Sequence, residues 1–221
     1  MEKRKLIVND YNTATNGPWV LASCVLTKGE QVQTFLDVPG RYAPLDLTDY
    51  LTDGQPYYSN ALLDATLESS EGTRDARGTQ IETIVNTLDG KQCRIVHPDH
   101  PNHYLVGRVQ VYPQYNDQAH AAVQLSAVCE PWLYRAAETV AQGTASSTEK
   151  TMQLPNSGRL AVVPTVVTTG TITLTFGEYT WTLSAGDHTL PDLYLTPGTH
   201  TVKYKGSGTL KISYREAVLA A

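Results

Sequence analysis

The stretch that decides the fold class is TITLTFGEYTWTL, residues 171–183. Apolar side chains stand at every second position on both sides of a central Gly-Glu pair: Ile172, Leu174, Phe176, Tyr179, Trp181 and Leu183. A period of two places these side chains on one face of a β-strand, and a glycine between two such runs allows the chain to turn. The stretch therefore predicts a β-hairpin with one buried face and one solvated face.

The same alternation continues through the C-terminal part of the chain. After further Gly-containing turns, apolar residues resume with the same period at Val202, Tyr204, Leu210, Ile212 and Tyr214. The chain has 13 Tyr, 16 Gly and 12 Pro, a composition that favours short strands and turns over helices. We expect residues 158–221 to form an antiparallel β-sandwich.

The first 134 residues are predicted to be β-rich, a sandwich-like domain with one helix. Ile81, Ile84, Val85 and Leu88 have the i, i+3, i+4, i+7 spacing of one helix face, and Gly90 stands where a left-handed cap is expected. The last predicted strand is largely apolar, which indicates cover on both faces. The predicted strands are residues 57–69, 92–96, 104–111 and 121–129.

Two segments lack a periodic apolar pattern. Residues 37–56 are rich in Pro, Gly and Asp and predict a long loop, and residues 135–157 are small and polar and predict a linker. Residues 1–134 contain 10 Lys and Arg against 16 Asp and Glu, a net charge of −6, whereas residues 135–221 contain 7 against 6. We therefore expect a domain of residues 1–134, a linker of residues 135–157 and a domain of residues 158–221.

Composition excludes several classes of protein. The longest apolar run, residues 217–221, is too short to span a membrane, and the N-terminal stretch lacks the apolar core of a signal peptide. The net charge of −5 gives no basic balance for nucleic-acid binding. Cys24, Cys93 and Cys129 are far apart and in predicted strands, so we expect buried thiols of a reduced, cytoplasm-made protein rather than disulfides or a zinc finger.

The sequence contains no motif that predicts catalysis. Phosphate-binding, dinucleotide-binding, nucleophile-elbow and HExxH patterns are absent, and we assign no catalytic, cofactor-binding or metal-binding residue. The densest cluster is His97-Pro-Asp-His-Pro-Asn-His103, whose residue types suit zinc. The two prolines disfavour a helix that would bring the imidazoles together. The cluster is interpreted either as a turn with solvated histidines or as the metal site of a metal-dependent enzyme.

Trp181 and the tyrosines near it suggest a second possible site. An aromatic face can stack on a pyranose ring, so Trp181 could contribute to a sugar-binding platform. It also lies in phase with Tyr179 and Leu183, which is typical of a core residue. A carbohydrate-binding protein that recognises cell-wall glycans is therefore the alternative function.

The order of these elements resembles that of siphophage distal tail proteins, in the short form without an inserted carbohydrate-binding module. The resemblance begins with PGRYAPLDLT, residues 39–48, and continues through the helix that ends in Leu88-Asp-Gly90. It then follows the polar turn at residues 97–101, YLVGRV at residues 104–109 and AVCEPW at residues 127–132. The C-terminal hairpins are similar to those of a galectin-like sandwich.

This resemblance implies a structural function in the virion. Members of the family form a hexameric ring of N-terminal domains at the distal end of the tail, and the C-terminal domains project outward. The ring joins the tail tube protein to tail-tip, tail-associated or baseplate proteins and to a receptor-binding protein. DNA passes through its lumen without specific binding, and no cofactor or enzymatic activity is implied. Six copies of a −6 domain would carry about −36, and we expect part of this charge to line the lumen.

Overall fold

A computed structural model of the chain describes residues 4–48, 50 and 57–220. The chain divides into two compact units, which we call unit 1 (Met1–Leu133 with Leu219–Ala221) and unit 2 (Tyr134–Val218). Both are built from antiparallel sheets, and the described residues contain one α-helix. The predicted mainly β fold class is confirmed, with curled sheets that are consistent with β-sandwich architecture.

Unit 1 is organised around one large antiparallel sheet, in which alternate residues face the core. The sheet order is β2-β1-β7-β8-β9-β6-β3. Its strands are β1 Ile7–Val8, β2 Tyr11–Asn12, β3 Val20–Thr27, β6 Ala61–Ser69, β7 Gln92–Val96, β8 His103–Asn116 and β9 Ala121–Cys129. The sequence boundaries between the two units fall within two further strands, β10 Trp132–Arg135 and β19 Ala217–Leu219.

The predicted helix is confirmed as α1, Arg74–Leu88. The Thr73 hydroxyl accepts a hydrogen bond from the Ala76 N–H at 3.2 Å and so caps the first turn. Gly90 has φ of +70°, the left-handed conformation expected of a residue that follows a helix. The buried face of the helix carries Ile81, Ile84 and Leu88, whereas Val85 is half-buried.

The strand predictions for unit 1 hold at 92–96 and 121–129, where both bounds are confirmed. The strand expected at 57–69 starts at Ala61, and the one expected at 104–111 runs from His103 to Asn116. The expectation that β9 is covered on both faces is wrong, because Val128 is 49% exposed. Its nearly continuous apolar sequence combines five core residues with Ala122 and Val128 on the outer face, where Gln124 and Ser126 are half-buried.

Unit 2 consists of two four-stranded antiparallel sheets. Their orders are β11-β18-β13-β16 and β12-β17-β14-β15. The strands are β11 Thr139–Thr144, β12 Lys150–Asn156, β13 Thr165–Thr168, β14 Ile172–Phe176, β15 Tyr179–Leu183, β16 Gly186–Thr189, β17 Gly198–Gly206 and β18 Thr209–Tyr214. The hairpin predicted at residues 171–183 is confirmed, with Leu174 directly opposite Trp181. Its alternate apolar residues contribute to the core of this unit.

Two segments differ from the sequence-based expectation. The predicted linker of residues 135–157 is wrong: it contains β11 and β12, so unit 2 already begins at Tyr134. Both are edge strands and bury few large apolar side chains, which is why their sequence resembles a linker. Part of the loop predicted at residues 37–56 belongs to a small hairpin, and residues 49 and 51–56 lie outside the described residues.

Candidate interaction surfaces

A small hairpin lies outside the large sheet of unit 1, and its base pairs with the residues that precede β6 through a bridge between Gln31 and Tyr58. Its strands are β4 Phe35–Leu36 and β5 Leu45–Asp46, and among the described residues they pair only with each other. We call residues 31–48 the arm. The apolar side chains on and beside the arm are exposed to solvent: Val32, Phe35, Leu36, Tyr42, Tyr50 and Tyr57.

Local hydrogen bonds hold the arm in shape. The Thr34 N–H donates to the Thr48 hydroxyl at 2.9 Å, and the Leu47 N–H donates to the Thr34 carbonyl at 2.8 Å. The Asp46 carboxylate accepts from the Thr48 N–H at 2.9 Å. Two hydrogen bonds from Thr48 lower the pKa of Asp46: the bond from the Thr48 side chain has the larger effect, and the bond from its backbone N–H has the smaller one. The arm therefore has a defined conformation, in which Val38, Leu45 and Leu47 are half-buried and the other large apolar side chains are exposed.

The outer face of the large sheet carries a second apolar surface. Leu62 on β6 is directly opposite Val128 on β9, and Val25 on β3 is opposite Asp64, two residues further along β6. All three aliphatic side chains are exposed. We call Val25, Leu62 and Val128 the patch. The patch departs from the polar outer face that alternation normally gives to a half-solvated sheet.

A buried arginine ties the start of α1 to the turn between β8 and β9. The Arg77 guanidinium donates to the Gly72 carbonyl at 2.7 Å and to the carbonyls of Asp117 and Gln118 at 2.8 and 3.2 Å. Only 1% of Arg77 is exposed. Backbone N–H groups of His120 and Ala119 hydrogen-bond the Asp117 carboxylate and lower its pKa. Arg77 is a fourth buried residue of α1, which apolar periodicity alone does not indicate.

The His97–His103 segment is a turn between β7 and β8, as one of the two interpretations predicted. The His100 N–H donates to the His97 carbonyl at 3.0 Å, and the His103 N–H donates to the His100 carbonyl at 3.0 Å. His97 is buried rather than solvated, and its Nδ1 accepts from the Asp99 N–H at 3.2 Å. Burial lowers the pKa of His97. Within residues 4–48, 50 and 57–220, no three His, Cys, Asp or Glu side chains are grouped so as to hold a metal ion.

The cysteines lie on the core side of unit 1. Cys93 and Cys129 are buried, as predicted, and Cys24 is half-buried. All three are free thiols. Burial raises the pKa of Cys24 to about 11 and that of Cys129 to about 12. These thiols are therefore protonated at neutral pH and are poor nucleophiles.

Unit 2 has an aromatic pair on its edge strand β15. The rings of Tyr179 and Trp181 are stacked with their centroids 5.8 Å apart and an angle of 12° between their planes. Trp181 packs partly against the core, and Tyr179 is half exposed. The interpretation of Trp181 as a core residue is therefore correct for part of its indole ring. The rest of the ring is accessible to solvent.

A buried carboxylate joins the first and last segments of unit 2. Glu216 accepts hydrogen bonds from Thr139 at 2.9 Å and from the Ser157 hydroxyl, and its second oxygen lies 3.2 Å from Arg135. Beside it, burial and the Glu216 charge raise the pKa of Tyr214 to about 12. Sequence analysis missed both Glu216 and Arg77, because a lone charged residue in a strand or helix gives no signal of its own burial.

The fold and these surfaces define an antiparallel β protein of two units, one of which carries an apolar arm and an apolar patch. No helix among the described residues is long and apolar enough to cross a membrane. The features that stand out are surfaces suited to contacts with other proteins.

Comparison with solved structures finds a protein with a similar fold. The crystal structure of the SPP1 Dit (gp 19.1) protein superposes with a TM-score of 0.67, covering 96% of this chain and 98% of that chain at 13% sequence identity. That protein is described as a paradigm of the hub adsorption apparatus in phages that infect Gram-positive bacteria. No family model and no curated protein matches the sequence. The chain thus has the fold of a distal tail protein across both units.

Proposed function

We propose that this protein is a structural component of a phage tail that forms a ring at the distal end of the tail. The ring connects the tail tube to the tail-tip or baseplate proteins and to the receptor-binding apparatus. The observation that carries the proposal is the shared fold with SPP1 Dit, which extends over 96% of this chain and 98% of that protein. A match over both units supports a shared role more strongly than a match of one common sandwich.

The proposed ring contains six copies, joined through unit 1. A contact between two different surfaces of the same chain closes into a ring when the rotation between copies permits it. Unit 2, which we propose to be galectin-like, projects outward and provides attachment points. The acidic excess of the first 134 residues supports a lumen that repels DNA during passage.

The role we propose is mechanical and not enzymatic. The buried Cys93 and Cys129 thiols and the buried His97 serve packing, and the partners are proteins: the tail tube, a tail-tip or tail-associated protein and a receptor-binding protein. The protein is placed in the virion after synthesis in the host cytoplasm.

Solution mass tests the ring directly. Light scattering of the purified chain should give a species near 145 kDa, six times 24.2 kDa, and negative-stain images of the same fraction should show a central hole. Labelled antibody against the chain should bind the distal end of intact tails. A protein that labels another virion structure, or none, would contradict the proposed location.

A second candidate function is carbohydrate recognition by unit 2. The observation that favours it is the stacked Tyr179–Trp181 pair on an edge strand, with Tyr179 half exposed. Aromatic faces of this kind could stack on sugar rings of a cell-wall glycan. A glycan array with the full chain and with Tyr179→Ala tests it: specific retention that the substitution abolishes would support this function over a purely structural one.

A further inference from the structure

We propose that a groove on unit 2 binds a phosphodiester-linked polyol, which is an anionic polymer that also carries hydroxyl groups. The inference goes beyond the proposed ring role and does not depend on it, because the groove lies within unit 2 of a single copy. The groove is also separate from the Tyr179–Trp181 pair, which belongs to the other sheet of this unit. It encloses about 510 Å³ on the outer face of the β11-β18-β13-β16 sheet, and the side chains that carry the argument are Gln142, Thr144, Val167, Thr169, Thr209 and Lys211.

A first row of side chains places a cation at the centre of the groove. Lys211 on the central strand β18 lies directly between Gln142 on β11 and Val167 on β13. Lys211 is exposed, and within the described part of the chain it forms no ion pair, so its ammonium group is available to a ligand. An ammonium group is a point charge that suits phosphate oxygens, and the Gln142 amide adds a hydrogen-bond donor in the same row.

A second row consists of three threonines, about 7 Å from the first row along the strands. Thr144 at the end of β11 is opposite Thr209 on β18, and the Thr169 N–H donates to the Thr209 carbonyl at 3.1 Å. The Thr209 N–H donates to the Thr169 hydroxyl at 2.8 Å, and the two hydroxyl oxygens are 3.0 Å apart. Because the bond between the two hydroxyls uses only one of their hydrogens, the other hydrogen is free to donate to a ligand.

The charges around the groove favour an anion on one side of it. The Lys150 ammonium group donates to the Thr144 carbonyl at 2.8 Å and adds a second cation near the β11 side. None of the described residues that line the groove is acidic. Asp187 on β16 stands opposite Val167 and borders the first row on the β13 side. A bound phosphate is therefore expected between Lys211 and β11, away from the Asp187 carboxylate.

The residue types in the groove indicate the class of ligand. Lysine, threonine and glutamine side chains are among those that contact phosphate and sugar oxygens in nucleic-acid complexes. Among the described lining residues there is no aromatic or arginine side chain, which are the groups that stack on nucleic-acid bases and that anchor protein partners. A polymer of phosphates and hydroxyl groups without bases is therefore the ligand that fits.

The test measures binding of the full chain to immobilised poly(glycerol phosphate) by biolayer interferometry. We expect saturable binding that weakens as the salt concentration is raised, because the ammonium–phosphate contacts are screened. Lys211→Gln should raise the Kd at least about tenfold, since it removes the central charge-assisted hydrogen bond. The matched control is Lys205→Gln, which removes another exposed lysine from β17 of the other sheet and should change the Kd by less than about twofold.

A third variant should change the affinity in the opposite direction. Asp187→Asn removes the carboxylate that borders the groove, so it should lower the Kd for the polymer. A gain in affinity does not arise from a misfolded protein, and this variant therefore keeps the test decisive if Lys211→Gln is unstable. An unchanged or higher Kd for folded Asp187→Asn would contradict the proposed position of the phosphate.

Soluble competitors test the chemical class of the ligand. Glycerol phosphate oligomers should displace the chain, whereas neutral polyglycerol and polyglutamate at equal concentration should not. Equal competition by polyglutamate would mean that charge alone is recognised, and stronger competition by duplex DNA would assign the groove to nucleic acid. Either result would overturn the inference, as would absence of binding or a Kd that Lys211→Gln leaves unchanged. Light scattering of the same samples reports the ring separately, so a failure of one proposal is distinguishable from a failure of the other.

Discussion

Replacement of Arg77 by methionine should destabilise unit 1 substantially. Methionine keeps most of the aliphatic length of arginine but removes the guanidinium, which donates to carbonyls at residues 72, 117 and 118. Two of these bonds are shorter than 3 Å, and hydrogen bonds that involve a charged group contribute about 1.5–3 kcal/mol each. We therefore expect a loss of about 3–5 kcal/mol in the free energy of unfolding of unit 1.

The expected loss can be checked by calorimetry and by local hydrogen exchange. For a domain of this size, 1 kcal/mol corresponds to about 2–4 °C, so the melting temperature of unit 1 should fall by roughly 10 °C. Amides of residues 116–121 should exchange faster, because Arg77 holds this turn against the start of α1. Arg77→Lys keeps the charge but cannot reach both turns with a planar fork, and it should recover less than half of the loss.

Arg74→Met is the matched control for the Arg77 substitution. Arg74 also lies in the first turn of α1 and donates to the Asn116 carbonyl at 3.1 Å, but it is exposed. We expect it to change the free energy of unfolding by less than about 1 kcal/mol. If Arg77→Met also changed the free energy of unfolding by less than about 1 kcal/mol, the reasoning would be refuted. Such a result would mean that water can replace the guanidinium at these carbonyls without loss of stability.

Three further predictions concern single residues. Gly107→Ala places a Cβ 2.5 Å from the Cys129 sulfur, so calorimetry should show a loss of about 1–3 kcal/mol that Cys129→Ala partly restores. Burial lowers the pKa of His97, so the contribution of His97 to the free energy of unfolding should be fully present above about pH 6.5 and should decrease as the pH falls below that value. Urea titrations at several pH values should therefore show a weaker dependence of the free energy of unfolding on pH for His97→Gln than for the wild type. Glu216→Gln should destabilise unit 2 by about 2–4 kcal/mol, and the half-exposed Glu138→Gln by less than about 1 kcal/mol; equal effects would contradict the role of burial.

The predictable parts of the fold are those in which burial follows a regular period. The hairpin at residues 171–183 and the helix face of Ile81, Ile84 and Leu88 each repeat an apolar residue with the period of the element. The edge strands β11 and β12 were missed because they bury few large apolar side chains, whereas the edge strand β15 packs Trp181 and Leu183 against the core and was predicted. Their small and polar sequence cannot be distinguished from that of a linker without the structure of the two sheets of unit 2.

The candidate surfaces could not be predicted for a different physical reason. Phe35 and Leu36 directly precede a segment that is rich in Pro, Gly and Asp, and an apolar residue beside a loop is equally compatible with burial against its own domain. Val128 follows the core residue Ala127 in a largely apolar strand, and it is exposed although Ala122 on the same outer face is buried, so the sequence pattern does not tell the two positions apart. In both cases the signal is the solvent exposure itself, and exposure is a property of the folded chain.

A protein with the assembly role that we propose is expected to have few sequence motifs for this reason. Catalysis requires particular side chains at fixed spacing, whereas an interface requires area, shape and a favourable balance of apolar and charged groups. Many sequences satisfy the second requirement, which agrees with a fold shared with SPP1 Dit at 13% identity.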